Sequence, residues 1–263
     1  MRPPLVILSN RAFRKNYYEL REGDFILGIL ALKHGEEYLY TDLYARGVSA
    51  YPPLLAQYLA RSKCFQAEAL KEFFPPETRV IRDRHDLIRA LNEYGAYGLR
   101  KVVTKQNRFN CGLGIHVWEN IEDLYNQVCF GNFPYPFVLQ PFFPNITDVR
   151  VVLLGEYIEA YARRNPFNFR NNLFFGGNAT PYQLSEEEYQ FCQRIMKRGQ
   201  FPYAHLDLML TGDGKYYLAE INLRGGLKGA SILPEDYEVR IQKLHQKALE
   251  DFLQKHPDAI LKE

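Results

Sequence analysis

The stretch that decides the fold is Tyr203–Asn222, which reads YAHLDLMLTGDGKYYLAEIN. Two runs of alternating apolar and polar residues lie on either side of Asp213-Gly214. This dipeptide favours the type I′ turn that joins two antiparallel strands. The sequence therefore predicts a β-hairpin whose turn is formed by these two residues.

The register of this predicted hairpin brings polar residues together. With a two-residue turn, Asp207 faces Glu220 and His205 faces Asn222. Because side chains alternate between the two faces of a sheet, the apolar residues share the opposite face. The predicted apolar face consists of Leu206, Leu208, Leu210, Tyr217, Ala219 and Ile221.

Two interpretations of the acidic face are open. Directly opposed carboxylates repel each other at a Cβ separation of about 5 Å, unless a divalent cation lies between them. Asp207, Glu220 and the amide of Asn222 offer the oxygen ligands that suit Mg²⁺. The alternative is a solvated outer face whose acids interact weakly through water. His205 on the same face is either a structural histidine or a group that contacts phosphate or transfers a proton.

A second hairpin is predicted upstream, around the turn Gly155-Glu156. Its register places Asp148, Arg150, Tyr161 and Arg163 on one face. Two arginines beside a candidate metal site are suited to holding a phosphate group. The competing interpretation is a set of surface ion pairs, which contribute little to stability.

Two further segments contain groups that bind nucleotides in many proteins. Phe169-Arg170-Asn171-Asn172 precedes the glycine pair Gly176-Gly177, and Lys105 precedes the glycine-containing loop Gln106–Gly114. The backbone N–H groups of such a loop can fold over phosphates. The loop has no Gly-Lys-Ser/Thr sequence and is not a Walker A motif, and ordinary turns would also explain its glycines.

Composition excludes several classes of protein. The 263 residues are 46% hydrophobic and carry a formal net charge of +2, which disfavours strong binding to nucleic acid or to an acidic membrane surface. The basic, aromatic segment 163–175 leaves nucleic-acid binding as a weaker alternative. The apolar run at 5–8 is too short for a membrane span. The scattered Cys64, Cys111, Cys129 and Cys192 indicate reduced packing cysteines of a cytoplasmic protein.

The order of strands and helices predicts α+β layers. Asn10–Lys15 is predicted to be a basic loop. Ser185 and Glu188 form a capping box at the start of a helix that Gly199 ends. Four prolines between Pro134 and Pro144 indicate a hinge, and a last helix is predicted from about residue 235 to 255.

The order of these segments from Gln140 to Gly229 resembles the ATP-grasp superfamily. The resemblance is to the branch that contains the ribosomal-protein glutamate ligase (RimK-like) and the glutathione-synthetase-like amino-acid ligases. The motifs that carry it are Asp148–Val152, Glu159–Arg164, Phe169–Asn172, Gly176-Gly177, Leu206–Leu208 and Glu220–Asn222, with Val103–Lys105 and Ser62-Lys63 upstream.

The resemblance implies an ATP-grasp fold of two α+β subdomains that grip ATP, preceded by a reduced N-terminal α/β domain. It divides the chain into an N-terminal domain (residues 1–61), a lid subdomain (62–136) and a catalytic C-terminal subdomain (137–263). It also implies roles for thirteen residues. It assigns catalysis to Arg150, Arg163 and Arg170. It assigns ATP binding to Lys63, Lys105, Pro141, Phe142, Asp148, Arg170, Asn171 and Asn172. It assigns the binding of one or two Mg²⁺ ions, or of Mn²⁺ in their place, to Asp207, Glu220 and Asn222.

The implied activity is an ADP-forming carboxylate–amine ligase that acts through an acyl phosphate, on an amino acid or a peptide. The short N-terminal part suggests that a second copy, a partner subunit or the substrate completes the acceptor site. Two departures from the family pattern, Pro141 at the adenine hinge and the bulky glycine loop at 107–112, support an alternative. Ser62, where Asp is usual, is a further departure. In that alternative the chain is a ligation-inactive ATP-binding module, a scaffold or a spore-coat-type associated protein.

Overall fold

The computed structural model describes residues 2–109 and 112–263. Its helices are α1 (Asn10–Asn16), α2 (Tyr38–Ala45), α3 (Leu54–Leu59), α4 (Lys63–Ala69), α5 (Arg84–Ala96), α6 (Ile121–Cys129), α7 (Glu186–Gly199) and α8 (Pro234–Lys255). Its strands are β1 (Leu5–Ile7), β2 (Phe25–Leu27), β3 (Ser49–Tyr51), β4 (Arg79–Ile81), β5 (Val102–Gln106), β6 (Ile115–Trp118), β7 (Phe137–Pro141), β8 (Thr147–Leu154), β9 (Tyr157–Arg164), β10 (Asn178–Pro181), β11 (Tyr203–Leu210), β12 (Tyr216–Asn222) and β13 (Ile260–Lys262). The predicted α+β class is confirmed.

The first sheet is parallel and has the strand order β13-β1-β2-β3. A core that includes Phe13, Leu39 and Leu43 packs helices α1 and α2 around it. The segment 10–15, predicted to be a loop, is part of helix α1. The side chain of Ser9 caps this helix by accepting a hydrogen bond from the Ala12 N–H, because a serine in extended conformation satisfies one of the free N–H groups of the first turn.

The second sheet is antiparallel and has the order β4-β7-β5-β6. Helices α5 and α6 cover it through a core that contains Leu87, Tyr94 and Leu124. Strand β7 lies within residues 137–263, which are predicted to form the catalytic C-terminal subdomain, but it forms its hydrogen bonds in this second sheet. The division at residues 61/62 and 136/137 stays a prediction.

The third sheet is antiparallel, with the order β10-β9-β8-β11-β12. The upstream hairpin has the predicted register, in which Asp148 pairs with Arg163 and Arg150 with Tyr161. Helix α7 packs against one face through Phe191, Cys192 and Ile195. Its predicted capping box is also present, with Ser185 and Glu188 bonded reciprocally.

The deciding hairpin differs from its prediction at the tip. Three residues form the loop: the Thr211 N–H donates to the Lys215 carbonyl at 2.8 Å, and Gly214 has φ +80°. A three-residue loop with glycine in this left-handed conformation shifts the pairing by one residue. A β-bulge next to Asp207 shifts it back.

The two shifts cancel at the polar end of the hairpin. Asp207 pairs with Glu220, as predicted, and His205 pairs with Asn222. The prediction is wrong for the residues between the loop and the bulge. Leu218 is fully buried in place of Tyr217, and Ala219 is the extra residue of the bulge.

The cysteines and the long helices complete the description. Cys64 and Cys192 are buried, as predicted for packing cysteines, whereas Cys129 is exposed. It is the last residue of α6 and follows the buried Val128. Cys111 lies outside the described residues. In the described parts of the chain, no helix combines the length and the apolar character needed to span a membrane.

Candidate active site

One row of paired residues crosses four strands of the third sheet. Glu220 on β12 faces Asp207 on β11, which faces Arg150 on β8, which faces Tyr161 on β9. The row puts two carboxylates and a guanidinium side by side on the same face. The hairpin registers are therefore what assembles the centre of the site.

Asp207 is held by two arginines. Arg150 donates to both of its oxygens, at 2.7 and 2.8 Å, and Arg163 Nη2 lies 3.1 Å from Asp207 Oδ2. Burial by itself would raise the pKa of Asp207, but the two guanidiniums outweigh burial and hold the pKa well below its usual range. Asp207 is therefore ionised at neutral pH.

Asp148 lies next to this pair and forms a second ion pair with Arg163, at 2.5 Å. The arginine side chain is only 5% exposed. The sequence-based alternative of a surface ion pair is thus wrong for this contact, which is buried. Burial raises the pKa of Asp148, and Arg163 opposes that rise.

Two lysines reach the same strands from outside the third sheet. Lys63, at the start of α4, donates to Glu220 Oε1 at 3.0 Å and to the Phe109 carbonyl at 2.7 Å. Lys105, on β5, donates to the Ala219 carbonyl at 3.1 Å. Burial lowers the pKa of Lys105 to about 8, although Glu220 acts in the opposite direction. These contacts join α4 to Glu220 and the second sheet to the neighbouring backbone of β12.

The stem of the glycine-containing loop is fixed to α4 by Asn107. Its Oδ1 accepts hydrogen bonds from the Ser62 hydroxyl at 2.9 Å and from the Cys64 N–H at 3.0 Å. Ser62 also caps α4, because its Oγ accepts from the Phe65 N–H. Ser62 therefore has a structural function in this chain. Asn110 and Cys111 of this loop lie outside the described residues.

Two loops, Gln106–Gly114 and Asn165–Asn178, are predicted to cover the site as lids, and the second contacts the first. Arg170 donates to the carbonyls of Gly112, at 3.1 Å, and of Ile115. Asn171 accepts from the Asn165 N–H, and the Asn172 side chain accepts from the Phe175 N–H. In this structure the three predicted ligands therefore organise the lid and its contact with the glycine loop. Their contact with a nucleotide stays a prediction.

The predicted adenine hinge is the end of β7 and the residue after it. Pro141 is buried and pairs with Val102. The Phe142 N–H donates to the Lys101 carbonyl at 3.0 Å, so it is used within the sheet. Proline has no N–H of its own. Neither residue offers a free backbone donor, and adenine binding at this hinge stays a prediction.

His205 is almost fully buried, and its Nε2 is 3.0 Å from the hydroxyl of Tyr237 on α8. Burial lowers its pKa to about 4, so the ring is neutral at neutral pH. A Cβ at Gly225 would lie 2.7 Å from His205 Nδ1. This packing favours the structural interpretation of His205. Gly225 and Tyr237 were not predicted, although the Arg-Gly-Gly at 224–226, shortly after Asn222, is a signal that could have indicated Gly225.

The carboxylate pair offers the donor set of a magnesium site. Asn222 donates to Glu220 Oε1 at 3.1 Å, so all three predicted ligands lie together. Among residues 2–109 and 112–263, no three His, Cys, Asp or Glu side chains group as a metal centre. Two carboxylates and an amide still fit Mg²⁺, which usually takes its other ligands from water and phosphates.

The comparison with known families decides the classification. The family model of the RimK-like ATP-grasp domain matches residues 58–242. The chain belongs to the RimK-like ATP-grasp family. The match includes Lys63, Lys105 and the whole Arg150–Asp207–Glu220 row.

Two curated relatives of this RimK-like chain are amide-forming enzymes by name. The coenzyme gamma-F420-2:alpha-L-glutamate ligase of Methanocaldococcus jannaschii is 27% identical over 195 residues, which is 71% of this chain and 66% of that protein. The glutathione synthetase of Agrobacterium fabrum is 26% identical over 162 residues, 56% of this chain and 46% of that protein. The RimK-like chain thus spans less than two thirds of the length of each.

The fold agrees with that of solved ligases. The D-alanine–D-alanine ligase of Bacillus anthracis superposes with a TM-score of 0.63, at 15% identity, over 94% of this chain and 86% of that one. At that identity the similarity shows the fold alone. The predicted ATP-grasp fold is confirmed for this RimK-like chain.

Proposed function

We propose that this protein is an ATP-dependent carboxylate–amine ligase that forms an amide bond through an acyl phosphate. The observation that carries the proposal is the convergence of Lys63 and Lys105 on the strand that bears Glu220, opposite Asp207. Two ammonium groups beside paired carboxylates suit a triphosphate that is bound together with a divalent cation. Membership of the RimK-like family and the names of the two curated relatives support it.

The reaction needs two displacements. A carboxylate oxygen of the first substrate attacks the γ-phosphorus of ATP, and the bond to the β-γ bridging oxygen breaks to release ADP. The amine of the second substrate then attacks the acyl carbon, phosphate leaves with the electrons of the C–O bond, and the nitrogen loses a proton. Positioning and charge neutralisation dominate such transfers, and little covalent work is left to the protein.

The residues divide this work between them. We assign Lys63 and Lys105 to the phosphates of ATP, and Asp207, Glu220 and Asn222 to Mg²⁺, or Mn²⁺ in its place. When bound, the metal ion neutralises charge on the phosphate oxygens. Arg150 and Arg163 hold Asp207 ionised and in place, and Arg163 also pairs with Asp148.

The acyl phosphate must be protected from water. We assign this function to the two loops that Arg170 joins through the carbonyls of Gly112 and Ile115. We further propose that the reaction takes place in the cytoplasm, which the buried Cys64 and Cys192 and the need for ATP support. An amino acid or a peptide supplies the carboxylate and the amine, and a second copy or a partner subunit would complete the acceptor site.

A second candidate function is ATP binding without ligation. It is favoured by the engagement of both Asp207 oxygens with Arg150 and by the use of the Phe142 N–H within the sheet. In this case the protein binds Mg-ATP but releases no ADP with any acid.

The two candidates are separated by a hydroxylamine trapping assay. Full-length protein is incubated with ATP, Mg²⁺, hydroxylamine and a panel of amino acids and short peptides, and ADP and hydroxamates are quantified. A ligase forms both in equal amounts with at least one acid. The Glu220→Gln variant should lose at least 100-fold in this rate, because it removes one of the two opposed carboxylates.

The matched control is Asp213→Asn. Asp213 lies at the tip of the same hairpin, in an exposed ion pair with Lys215, and its replacement should leave the rate within twofold. Equal rates for the wild type and Glu220→Gln would refute the proposal. Tight Mg-ATP binding with no ADP from any acid would favour the second candidate.

A further inference from the structure

The side chain of Tyr161 is almost fully buried, yet its hydroxyl group has no hydrogen-bond partner among residues 2–109 and 112–263. Leu173 and the backbone at Gly229 cover the ring, since a Cβ at Gly229 would lie 3.3 Å from Tyr161 Cε2 and 2.6 Å from Leu173 Cδ1. Burial of a hydroxyl without a partner is unfavourable, and such a group in a folded protein needs an explanation. A partner that the hydroxyl gains in another state of the protein would supply one.

The position of Tyr161 in the third sheet points to that partner. Tyr161 on β9 pairs directly with Arg150 on β8, at the end of the row that begins with Glu220 and Asp207. Burial raises the pKa of Tyr161, whereas Arg150 and Arg163 act in the opposite direction, so both guanidiniums lie close enough to act on the hydroxyl. A guanidinium only donates hydrogen bonds, and a phenol oxygen can accept them. The Tyr161 hydroxyl is thus an acceptor available to Arg150.

Arg150 is bound to Asp207 in this structure. Its Nε and Nη2 donate to the two carboxylate oxygens at 2.7 and 2.8 Å, and its Nη1 donates to the Gly226 carbonyl at 3.3 Å. The guanidinium therefore holds the carboxylate that we assign to the metal ion. A divalent cation at Asp207 would repel this guanidinium, because like charges a few Å apart in a partly buried site interact strongly. Metal binding at Asp207 would therefore displace Arg150, which then needs another acceptor.

We propose that Tyr161 is a positioning residue that accepts the guanidinium of Arg150 when a divalent cation takes its place at Asp207. The inference rests on the proposed function, because it needs Asp207 to be a metal ligand. Arg150 then moves along the row of paired residues, away from the cation and toward β9. Arg163 keeps Asp148 as its partner, at 2.5 Å. Tyr161 therefore stabilises the metal-bound state through Arg150, without contact with the metal.

Tyr40 is a matched control in the same chain. Its hydroxyl is also buried and has no partner within the described residues. It lies in the core of the first sheet, where its ring stacks on that of Tyr58 with centroids 5.5 Å apart. The charged groups that act on its pKa are Arg61 and Glu37, neither of which belongs to the row. Phenylalanine removes a buried hydroxyl at either position, but only at 161 does it remove an acceptor beside Arg150.

The test is titration of Mn²⁺ alone into the full-length protein, with the free ion measured by electron paramagnetic resonance. Glu220→Gln, which removes one of the assigned ligands, identifies the ion bound at the carboxylate pair. Tyr161→Phe should weaken that binding about tenfold, which is the effect of one hydrogen bond to a charged group. Tyr40→Phe should stay within twofold of the wild type. In an Arg150→Gln background the guanidinium is absent, and Tyr161→Phe should then change the affinity by less than twofold.

Thermal unfolding of the metal-free protein separates positioning from a structural role. Because the hydroxyl has no partner in that state, Tyr161→Phe should not lower the midpoint, whereas a structural hydrogen bond would make it fall. Equal Mn²⁺ affinities of the wild type and Tyr161→Phe overturn the inference, and this comparison with Tyr40→Phe needs no change at Arg150.

A tenfold loss that persists in the Arg150→Gln background also overturns it, because Tyr161 would then not act through Arg150. If Glu220→Gln binds Mn²⁺ as the wild type does, the metal assignment of the proposed function fails together with the inference. Hydroxamate formation is measured separately, so the inference can fail while the ligase activity stands, and the reverse.

Discussion

Asp207 and Glu220 face each other directly across strands β11 and β12, yet each is neutralised by a different part of the chain. Asp207 is bound by Arg150 on the neighbouring strand β8, and Glu220 by Lys63 at the start of α4. This arrangement removes the repulsion expected between opposed carboxylates. It also links the third sheet to helix α4 through one ammonium group.

We predict that Asp207→Asn destabilises the fold by about 3 kcal/mol, because it leaves the buried guanidiniums of Arg150 and Arg163 with only Asp148 as an anion. Urea unfolding measures this directly. Asp213→Asn, in the exposed pair at the hairpin tip, should change stability by less than about 0.5 kcal/mol. Similar values for the two variants would show that the Asp207 pairs contribute no more than surface pairs.

A second prediction concerns pH and Lys105, whose pKa burial lowers to about 8. Above pH 8 the nucleotide-free protein has lost this proton, whereas bound phosphates would restore it. ATP affinity should therefore be constant below pH 7 and fall above pH 8, approaching tenfold per pH unit.

Calorimetry at pH 8.5 in two buffers of different ionisation enthalpy should show proton uptake on binding. Lys105→Arg provides the control, because arginine stays charged over this range and its affinity should not vary with pH. A wild-type affinity that is unchanged between pH 7 and 9 would argue against contact between Lys105 and the phosphates.

The deciding hairpin, Tyr203–Asn222, shows how far local sequence rules reach. The pairing of Asp207 with Glu220 was predicted from a two-residue turn, but the protein uses a three-residue loop and a compensating bulge. The predicted pair is right because the bulge restores the register beyond Asp207. No local pattern predicts the bulge. Ala219 is not paired with β11, and its carbonyl accepts a hydrogen bond from Lys105, a residue more than a hundred positions away in the sequence.

The short range of local sequence rules also explains which other contacts were not predicted. Capping boxes and hairpin registers involve residues a few positions apart, and those at Ser185 and around Gly155 were predicted correctly. The contact of Lys63 with Glu220 joins residues 157 positions apart, and only the packing of α4 against β12 brings them together. In the structure the predicted ligand Arg170 joins two loops through its hydrogen bond to the Gly112 carbonyl, and this contact likewise depends on the tertiary structure.

A third prediction concerns the cysteines. Burial raises the pKa of both Cys64 and Cys192 to about 12, whereas Cys129 is exposed. Because only the thiolate is nucleophilic, iodoacetamide at pH 8 should modify Cys129 at least 100-fold faster than the two buried thiols. Peptide-resolved mass spectrometry gives the three rates. In denaturant the three should become equal, and unequal rates there would assign the difference to local sequence instead of burial.

The final prediction uses two neighbouring glycines as a matched pair. A methyl group at Gly225 would lie 2.7 Å from the buried ring of His205, whereas a Cβ at Gly226 meets nothing within 4 Å. His205 cannot move aside easily, because Tyr237 holds its other nitrogen at 3.0 Å. Gly225→Ala should therefore cost about 1–3 kcal/mol of unfolding free energy through overpacking, and Gly226→Ala should change it by less than about 0.5 kcal/mol. Chemical denaturation compares them, and His205→Ala should reverse the loss in the Gly225→Ala background by making room. If the double variant is no more stable than the sum of the single changes, the steric contact between 205 and 225 is not what excludes a side chain there.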